Sequence, residues 1–299
     1  MKIVKDIQLG DPSSNKQNFI DLNLKVLCCR YWILDLWDCH DMVFPYWRLY
    51  WNRNTGGELI HRDNIFEMDP NCLYIIPPFT SFSSRFTKNH VYSNGIHVNG
   101  KHVTSTINED HYVDSSLIHL FIHFNLGVPF DNVYPGILKI ELTDYLKDRL
   151  DYLTSRLKIE NTDFKLTFNL KLQAFIKEAL TNIGPELWKA INIDERVLKV
   201  IRYIEININK KLSNPELAAI TNMAPNSFAR LFKIEMNITL HSFIQNRKIA
   251  KACVLFEHTN KTIEEVSFVL GFSDRFHFSR VFKSVIGLSP ASYKEEKYI

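Results

Sequence analysis

One short heptapeptide occurs twice in the second half of the chain. It reads SFARLFK at 227–233 and HFSRVFK at 277–283, an offset of 50 positions. The two phenylalanines, the arginine and the lysine coincide in the two copies. Apolar side chains recur at steps of three or four residues, which predicts two short helices with one buried face each. The predicted inward side chains are Phe228, Leu231, Phe232, Phe278, Val281, Phe282 and Val285.

A helix start signal precedes each copy. Ser213 and Thr262 each stand three positions before a glutamate, which is the pattern of a capping box. The short apolar helix that follows is predicted to end near Asn222 in the first copy and at Gly271 in the second. The heptapeptide then lies on the next helix. The sequence therefore predicts two helix-turn-helix units.

The outer faces of the two heptapeptide helices are polar and basic. An arginine there can bind the O6 and N7 atoms of guanine, and an asparagine can bind adenine in the same bidentate way. Lysines bind phosphates, which position a protein on DNA without specifying sequence. The predicted phosphate-binding residues are Lys233 and Lys283, at the helix ends, and Arg247, Lys248 and Lys251, between the units. The alternative is a repeat scaffold of helical hairpins with solvated basic faces.

The charge distribution agrees with a nucleic-acid-binding second half. Residues 195–299 contain sixteen Lys and Arg against ten Asp and Glu, whereas the first 194 residues contain twenty against twenty-three. A basic module joined to a mildly acidic one is typical of a DNA reader fused to another function. The segment 239–256 is predicted to be a helix that joins the units. It would set the two reading helices on successive major-groove faces about 34 Å apart.

Composition limits the class of protein further. The hydrophobic fraction of 45% and the charged fraction of 23% are ordinary for a globular chain, and no apolar run has membrane-spanning length. The N-terminus lacks the apolar core of a secretory signal. Five cysteines without a Cys-x-x-Cys pair favour a reducing compartment, so we expect a cytoplasmic protein without a membrane partner.

Two long segments of the second half carry a family resemblance. MAPNSFARLFKIEMNITLHSFIQNRKIAKA and IEEVSFVLGFSDRFHFSRVFKSVIGLSPASY resemble the DNA-binding domain of the AraC/XylS family of bacterial transcription regulators, named after the arabinose-operon regulator. The chain departs from the family pattern at Ala224, Asn237 and Leu240, where a serine, a glycine and a proline are usual. The resemblance implies double-stranded DNA and RNA polymerase as partners, and activation of transcription. It implies base reading by Asn226, Ala229, Arg230, Arg275, His277, Ser279 and Arg280.

The first half reads as β structure followed by helices. Short apolar strands broken by turn residues predict a barrel at 1–130, and leucine spacing predicts amphipathic helices at 137–158 and 163–183 within a segment 131–185. A linker is predicted at 186–194 and the double helix-turn-helix domain at 195–299. The stretch YWRLYWNRNTGGELIHRDNIFEMDPNCLYIIPP is similar to the cupin-like effector barrel of that family. The predicted fold class is thus α+β multidomain: a cupin-like β-barrel with two helices, then an all-α domain.

The resemblance implies that the barrel binds a small-molecule effector, often a sugar, and that the helices form a homodimer. Strand alternation puts Trp47, Trp51 and Arg53 on one face of a strand and Arg48 on the other, and leaves open which face points inward. Aromatic planes with a few polar groups suit a sugar-like ligand. The predicted pocket residues are Trp47, Arg48, Trp51, Arg53, His119 and His123.

A metal-dependent enzyme is disfavoured by the histidine pattern. The chain has no His-x-His pair, and His119 and His123 would lie roughly 13 Å apart along one extended strand, too far to bind one ion. We therefore predict no metal, no cofactor and no catalysis. Two alternatives to a ligand-controlled regulator stay open. One is a ligand-independent regulator whose barrel only dimerises, and the other is a cupin enzyme with an appended DNA-binding domain.

Overall fold

The computed structural model describes residues 22–88, 95–128, 130–131, 133–159, 165–188, 193–236, 238–286 and 288–295. The strands are β1 Lys25–Val43, β2 Trp47–Asn52, β3 Gly57–His61, β4 Asn64–Glu67, β5 Cys72–Ile76, β6 Ser81–Phe86, β7 Ile96–His102, β8 Leu117–Asn125 and β9 Leu138–Glu141. The helices are α1 Asp144–Leu157, α2 Leu166–Thr181, α3 Glu195–Ile206, α4 Asn214–Ala219, α5 Pro225–Met236, α6 Leu240–His258, α7 Ile263–Val269, α8 Arg275–Ile286 and α9 Pro290–Glu295.

The strands form one antiparallel sheet in the order β4-β3-β6-β1-β8-β2-β5-β9, and β7 pairs with β1. β1 is 19 residues long and pairs with β8 along one edge and with β7 and β6 along the other. Its register shifts once against each of these partners, and Asp41 has a positive φ of 48°. Bulges of this kind bend a strand and increase its twist, so β1 curves the sheet into a half-barrel.

Alternation along the central strands gives the sheet two apolar faces. On β8, Ile118, Leu120 and Ile122 pack with α1 and α2, whereas Leu117 belongs to the core on the opposite face. All five residues of β5 are buried, because both faces of the sheet are covered there. α1 and α2 therefore cover one face of the half-barrel. The concave face carries the second apolar core, to which Leu117 belongs.

The predicted helix at 137–158 is wrong over its first residues. Leu138–Glu141 form β9, which pairs with β5, and the helix begins only at Asp144 after the Thr143 side chain caps Leu146 N. The sheet thus continues past residue 130. The leucines here have helical spacing, which is why the sequence predicts a helix. The segment forms a strand instead because its backbone hydrogen-bonds to the edge of β5, a distant partner that local spacing cannot reveal.

The leucine stripe of α1 packs inside the chain. Leu146, Leu150, Leu153 and Leu157 are at most 2% exposed and contact α2 and the sheet. The stripe therefore packs on α2 and the sheet, and these leucines are not available to a second chain. The second predicted helix, at 163–183, corresponds to α2.

The C-terminal helices contain both predicted helix-turn-helix units. α4 and α5 form the first unit, α7 and α8 form the second, and α6 joins them. Phe228, Phe232, Phe278 and Phe282 are fully buried, as the heptapeptide spacing predicts. With an antiparallel half-barrel followed by helices, the predicted fold class is confirmed. Among the described residues, none of the helices has the length and apolarity to span a membrane.

The concave face of the sheet and the second unit share one apolar core. Trp37, Tyr50 and Phe82 from the sheet belong to the same buried cluster as Phe256 and Phe282 from the helices. The first unit has its own core, formed with α3. The second unit is therefore the one whose buried core is continuous with that of the barrel.

Candidate DNA-reading surface and ligand pocket

The N-terminus of α8 is strongly capped. The Asp274 carboxylate accepts hydrogen bonds from the backbone N–H groups of Phe276 (2.9 Å) and His277 (2.7 Å). The bond from His277 N–H, followed by the bond from Ser273, lowers the pKa of Asp274. α7 before it begins with a complete capping box, in which Thr262 and Glu265 each accept the backbone N–H of the other. The Asp274 contacts therefore fix the start of the second predicted reading helix, and the capping box fixes the start of the helix before it.

The first unit is capped less completely. Ser213 caps Glu216 N (3.4 Å), but the Glu216 carboxylate accepts the hydroxyl of Tyr203 (2.9 Å) instead of returning to Ser213. The predicted reciprocal box is therefore only half formed, because Tyr203 on α3 competes for the carboxylate. Ala224, the residue before α5, has no side chain that can cap the helix and supplies its carbonyl oxygen to Phe228 N. Asn237, the second departure from the family pattern, lies outside the described residues.

The side chains predicted to read bases lie on the outer faces of α5 and α8. Asn226, Arg230, Arg275 and Arg280 are exposed, and Ala229, His277 and Ser279 are half-buried. Lys233, Lys251 and Lys283 are exposed as well. Ser279 donates its hydroxyl hydrogen to the Arg275 carbonyl oxygen (2.8 Å), and His277 contacts the Ser273 hydroxyl (3.2 Å). The two helices thus present basic and hydrogen-bonding groups to solvent in the way that major-groove reading requires. Base contact itself stays a prediction.

Arg247 differs from the other predicted phosphate contacts, because it lies between the two halves of the protein. Its Nη1 is 3.4 Å from Oδ2 of Asp131, which follows β8, and its Nε is 2.5 Å from Oε1 of Glu205 on α3. The Arg247 side chain is 12% exposed and that of Asp131 only 3%. The Asp131 carboxylate also accepts the indole N–H of Trp47 (3.0 Å) and the backbone N–H of Leu126 (2.9 Å). In this conformation Arg247 is not available to a phosphate.

Lys248 is also buried, contrary to the phosphate prediction. Its Nζ donates to the carbonyl oxygens of Lys210 (3.1 Å) and Gly271 (3.5 Å), and burial lowers its pKa. Gly271 has a φ of +64°, and a Cβ there would collide with the Asn209 carbonyl oxygen. Lys248 therefore ties the loop after α3 to the turn of the second unit. Its role in this structure is to hold the two units together.

A cavity of about 220 Å³ opens on the concave face of the half-barrel, and we call it the barrel pocket. Strand register explains its polar groups. Arg48 on β2 lies opposite His123 on β8, and Asn52 lies opposite His119, so these side chains share one face. The lining residues are Cys28, Arg30, Trp32, Leu34, Trp37, Cys39, Met42, Phe44, Arg48, Tyr50, Ile96, Val98, His119, Phe121, His123 and Tyr293.

Arg48 is the buried cation of the barrel pocket. It is 7% exposed, and its guanidinium donates to the hydroxyls of Tyr50 (2.5 Å) and Tyr46 (3.1 Å). Its Cζ lies 3.3 Å from the centre of the Phe44 ring. The two hydroxyls and the ring orient the guanidinium, which places a positively charged group in the pocket wall.

The two histidines of β8 both line the pocket. His119 contacts the Asn52 amide oxygen through Nδ1 (2.6 Å), and its ring centre lies 4.9 Å from those of Trp37 and Tyr50. Burial, and then the charges of His123 and Arg48, lower the pKa of His119 to about 3. His119 is therefore a neutral imidazole at physiological pH. Among the described residues, no group of three or more His, Cys, Asp and Glu side chains is arranged to hold a metal ion.

The other predicted pocket residues lie on the opposite face of β2. Trp47 is buried against Phe124 and binds Asp131, and Trp51 donates to the Pro70 carbonyl oxygen (2.7 Å). Arg53 pairs with the buried carboxylate of Glu109 and with Asp110. Trp47 and Trp51 are outside the pocket because α1 and α2 cover their face of the sheet. Arg53 follows β2, is 39% exposed and is also outside it.

Tyr293 closes the barrel pocket from the DNA-binding half. It lies on α9, is 4% exposed, and its ring centre is 6.3 Å from Phe44 of the barrel and 5.3 Å from Phe282 of α8. The pocket wall therefore includes a residue that packs directly on the second reading helix. Sequence reasoning missed both Tyr293 and Phe44 as pocket residues. No local signal could have found them, since the contact joins residues almost 250 positions apart.

Comparisons with known proteins decide the family. A family described as "Helix-turn-helix domain" matches residues 217–296. The arabinose operon regulatory protein of Escherichia coli is 31% identical over 111 residues, 35% of this chain and 37% of that protein. The transposon Tn10 TetD protein of Escherichia coli is 33% identical over 98 residues, 33% of this chain and 71% of that protein. The chain belongs to the AraC/XylS family. Residues 217–296 are therefore the helix-turn-helix domain of that family.

Other relatives define how far the likeness extends. The probable transcriptional regulator LumQ of Photobacterium leiognathi is 29% identical over 147 residues, which are 48% of this chain and 58% of LumQ. The chain thus matches less than two thirds of the length of LumQ. ToxT from Vibrio cholerae aligns with 91% of this AraC/XylS-family chain and 98% of its own, with a TM-score of 0.53 and 10% identity. At that identity the likeness shows the fold.

Proposed function

We propose that this AraC/XylS-family regulator reads a specific DNA sequence through α5 and α8, and that a small molecule in the barrel pocket controls this reading. The observation that carries the proposal is the position of Tyr293. It belongs to the DNA-binding half, yet it forms part of the pocket wall and contacts Phe282 on α8. A ligand that contacts Tyr293 therefore contacts a residue that packs directly on the second reading helix.

The lining of the pocket favours an apolar organic acid over the sugar that the family resemblance implies. Most of the lining is aliphatic or aromatic, Arg48 is a buried cation in the wall, and Arg30 is a second, exposed one. An apolar body is stabilised by such walls, and a carboxylate by the guanidinium, whereas a sugar needs many more hydrogen bonds. ToxT, which shares the fold, has been solved with an unsaturated fatty acid bound. The small volume of the pocket suits a medium-chain acid.

The proposed coupling is a shift between two arrangements of the halves. A ligand changes DNA binding only if it binds one arrangement better than the other. The shared core around Tyr293 and the Asp131–Arg247 pair are the contacts that differ between a docked and a released second half. A docked arrangement buries Arg247, and a released one returns it to solvent.

Several further parts of the proposal rest on the family rather than on a contact. We propose that the protein activates transcription in the cytoplasm, contacts RNA polymerase and acts as a homodimer. The proposed dimer interface does not include the leucines of α1, because they are buried. Dimerisation would still raise the affinity for DNA, because it doubles the number of DNA-binding units. We also propose that the pocket binds without catalysis.

The experiment that tests DNA reading is selection among DNA fragments from upstream of the protein's own gene. The wild type is expected to select one fragment, with an affinity that falls steeply with salt. Arg280→Ala is expected to lose about 1–3 kcal/mol of that selectivity, because one bidentate base contact disappears. Arg149→Ala, which removes an equal charge from α1, should leave the selection unchanged. Equal, salt-insensitive and unselective binding by all three proteins would refute the proposal.

A further inference from the structure

Phe276 is an exposed aromatic side chain on the first turn of α8. Its side chain is 68% exposed, whereas Phe278 and Phe282 on the same helix are fully buried. Its backbone N–H is held by the Asp274 carboxylate. The ring therefore adds nothing to the core of the second unit, although its backbone is among the best fixed in the helix.

The internal repeat assigns a role to this position. Phe276 lies 50 positions after Asn226, the same offset that relates the two heptapeptides. Each is the second residue of its helix, since α5 begins at Pro225 and α8 at Arg275, and both side chains are exposed. The two units therefore present these positions in the same way. If Asn226 reaches a base edge, Phe276 reaches one as well.

The chemistry of a phenyl ring selects its target in the major groove. The ring has no donor or acceptor for a hydrogen bond, and the apolar group that base pairs present in that groove is the C5-methyl of thymine. The guanidinium carbon of Arg275 lies 5.0 Å from the centre of the Phe276 ring, a cation–π arrangement that steadies the ring. The same arginine keeps its donors beside the ring for a neighbouring guanine.

We propose that Phe276 contacts the C5-methyl group of a thymine, and that this contact makes the second unit select an A·T pair at one position of its site. The inference rests on the proposed function, because it requires that α8 enters the major groove. It extends that function in two ways. It names a base-reading residue outside the predicted set, and it assigns different modes of base recognition to the two units. The first unit reads this position by hydrogen bonds, and the second reads it by apolar contact.

The test replaces each thymine of the selected fragment, one at a time, by deoxyuridine, which lacks only the C5-methyl group. For the wild type, one replacement should weaken binding about fourfold, the effect of leaving one methyl group in water. Phe276→Ala should bind more weakly than the wild type and be insensitive to that replacement. Phe276→Asn should prefer adenine at that position, as the first unit is expected to do.

Phe268→Ala is the matched control, because Phe268 is 84% exposed but lies on α7 rather than on the reading helix. It should keep the wild-type affinity and the wild-type response to deoxyuridine. The inference is overturned if Phe276→Ala responds to every replacement as the wild type does, or if Phe276→Ala binds DNA normally. Both results leave the proposed function intact when Arg280→Ala still loses selectivity. If the wild type selects no fragment, the proposed function and this inference fail together.

Discussion

The Asp131 carboxylate and the Arg247 guanidinium connect the half-barrel to the helix between the two reading units, with 3.4 Å between Oδ2 and Nη1. Arg247 keeps a second partner, Glu205, and Asp131 keeps Trp47 and Leu126. The pair is therefore one link in a chain of buried polar contacts that runs from β2 to α3.

Removing the charges of this pair is expected to have unequal effects on stability. Asp131→Asn keeps an acceptor for Trp47 and leaves Arg247 bonded to Glu205, so we expect a loss of about 1–2 kcal/mol of unfolding free energy. Arg247→Met leaves a buried carboxylate without its cation, and we expect a loss of about 3–5 kcal/mol. Urea unfolding measures both changes. If the two variants lost similar amounts of unfolding free energy, the predicted difference between them would be wrong.

The salt dependence of DNA binding should separate the basic residues into two groups. Lys283 is exposed at the end of α8, so Lys283→Met is expected to reduce the slope of log K against log salt by about 0.9. Lys248→Met should leave the slope unchanged, because Lys248 is bound to two backbone carbonyls. Titrations of the selected fragment at several salt concentrations give the slopes. A reduced slope for Lys248→Met would restore its predicted phosphate contact.

His119 should make the protein less stable in mild acid. Its pKa is lowered from about 6.5 to about 3, so the folded protein leaves it neutral where the unfolded chain protonates it. The stabilisation is complete above about pH 6.5 and is lost as the pH falls towards 3, by up to about 1.4 kcal/mol per pH unit. Unfolding between pH 7 and pH 4.5 measures this loss. His119→Gln should show a shallower decline than the wild type, and the exposed His241→Gln should not.

The unequal caps of the two reading helices lead to opposite predictions. Ala224→Ser should add a side-chain cap to α5 and raise the unfolding free energy by about 0.5–2 kcal/mol. Asp274→Ala should remove two hydrogen bonds from the start of α8 and lower the unfolding free energy. Thermal unfolding is a sufficient measurement. If Asp274→Ala is neutral, the Asp274 cap does not stabilise α8.

The ligand assignment predicts which compounds bind and which residue transmits the effect. Decanoate should bind the wild type, whereas decanol and arabinose should bind at least tenfold more weakly, because Arg48 requires an anionic head. Arg48→Met should lose the preference for the acid. Tyr293→Phe should respond to decanoate as the wild type does, and Tyr293→Ala should bind it without a change in DNA affinity. Calorimetry and fragment binding provide the two readouts. Tighter binding of arabinose than of decanoate would contradict the assignment.

Local signals in the sequence were sufficient for the two helix-turn-helix units. Capping residues, a glycine stop and helical spacing act within one or two turns, so they identify α7 and α8 without knowledge of the rest of the chain. These local signals gave a wrong prediction where a residue distant in sequence takes the hydrogen-bonding group that the signal requires. Glu216 has the correct spacing from Ser213, yet Tyr203 on another helix takes its carboxylate. The same reason explains β9, whose leucines have helical spacing but whose backbone pairs with β5.

The barrel pocket could be predicted only in part. Strand alternation correctly separates Arg48 from Trp47, Trp51 and Arg53, because the side-chain period of a strand is two. It cannot tell which face is covered by α1 and α2, and that decides which residues meet a ligand. The presence of Tyr293 in the pocket wall is still harder to predict from the sequence, since it depends on how the complete helical half packs against the sheet.

The pairing of β1 with β8 also has a consequence for synthesis of the chain. Lys25 pairs with Asn125, so the pairing of β1 with β8 is complete only after the 99 residues between them have been made. Each helix-turn-helix unit, by contrast, is contained within about 25 consecutive residues and can form as it emerges. A nascent chain interrupted before β8 carries a 19-residue strand whose β8 edge is open, and an open strand edge promotes aggregation. Folding of the half-barrel is thus expected to be the slow and vulnerable step in the synthesis of this chain.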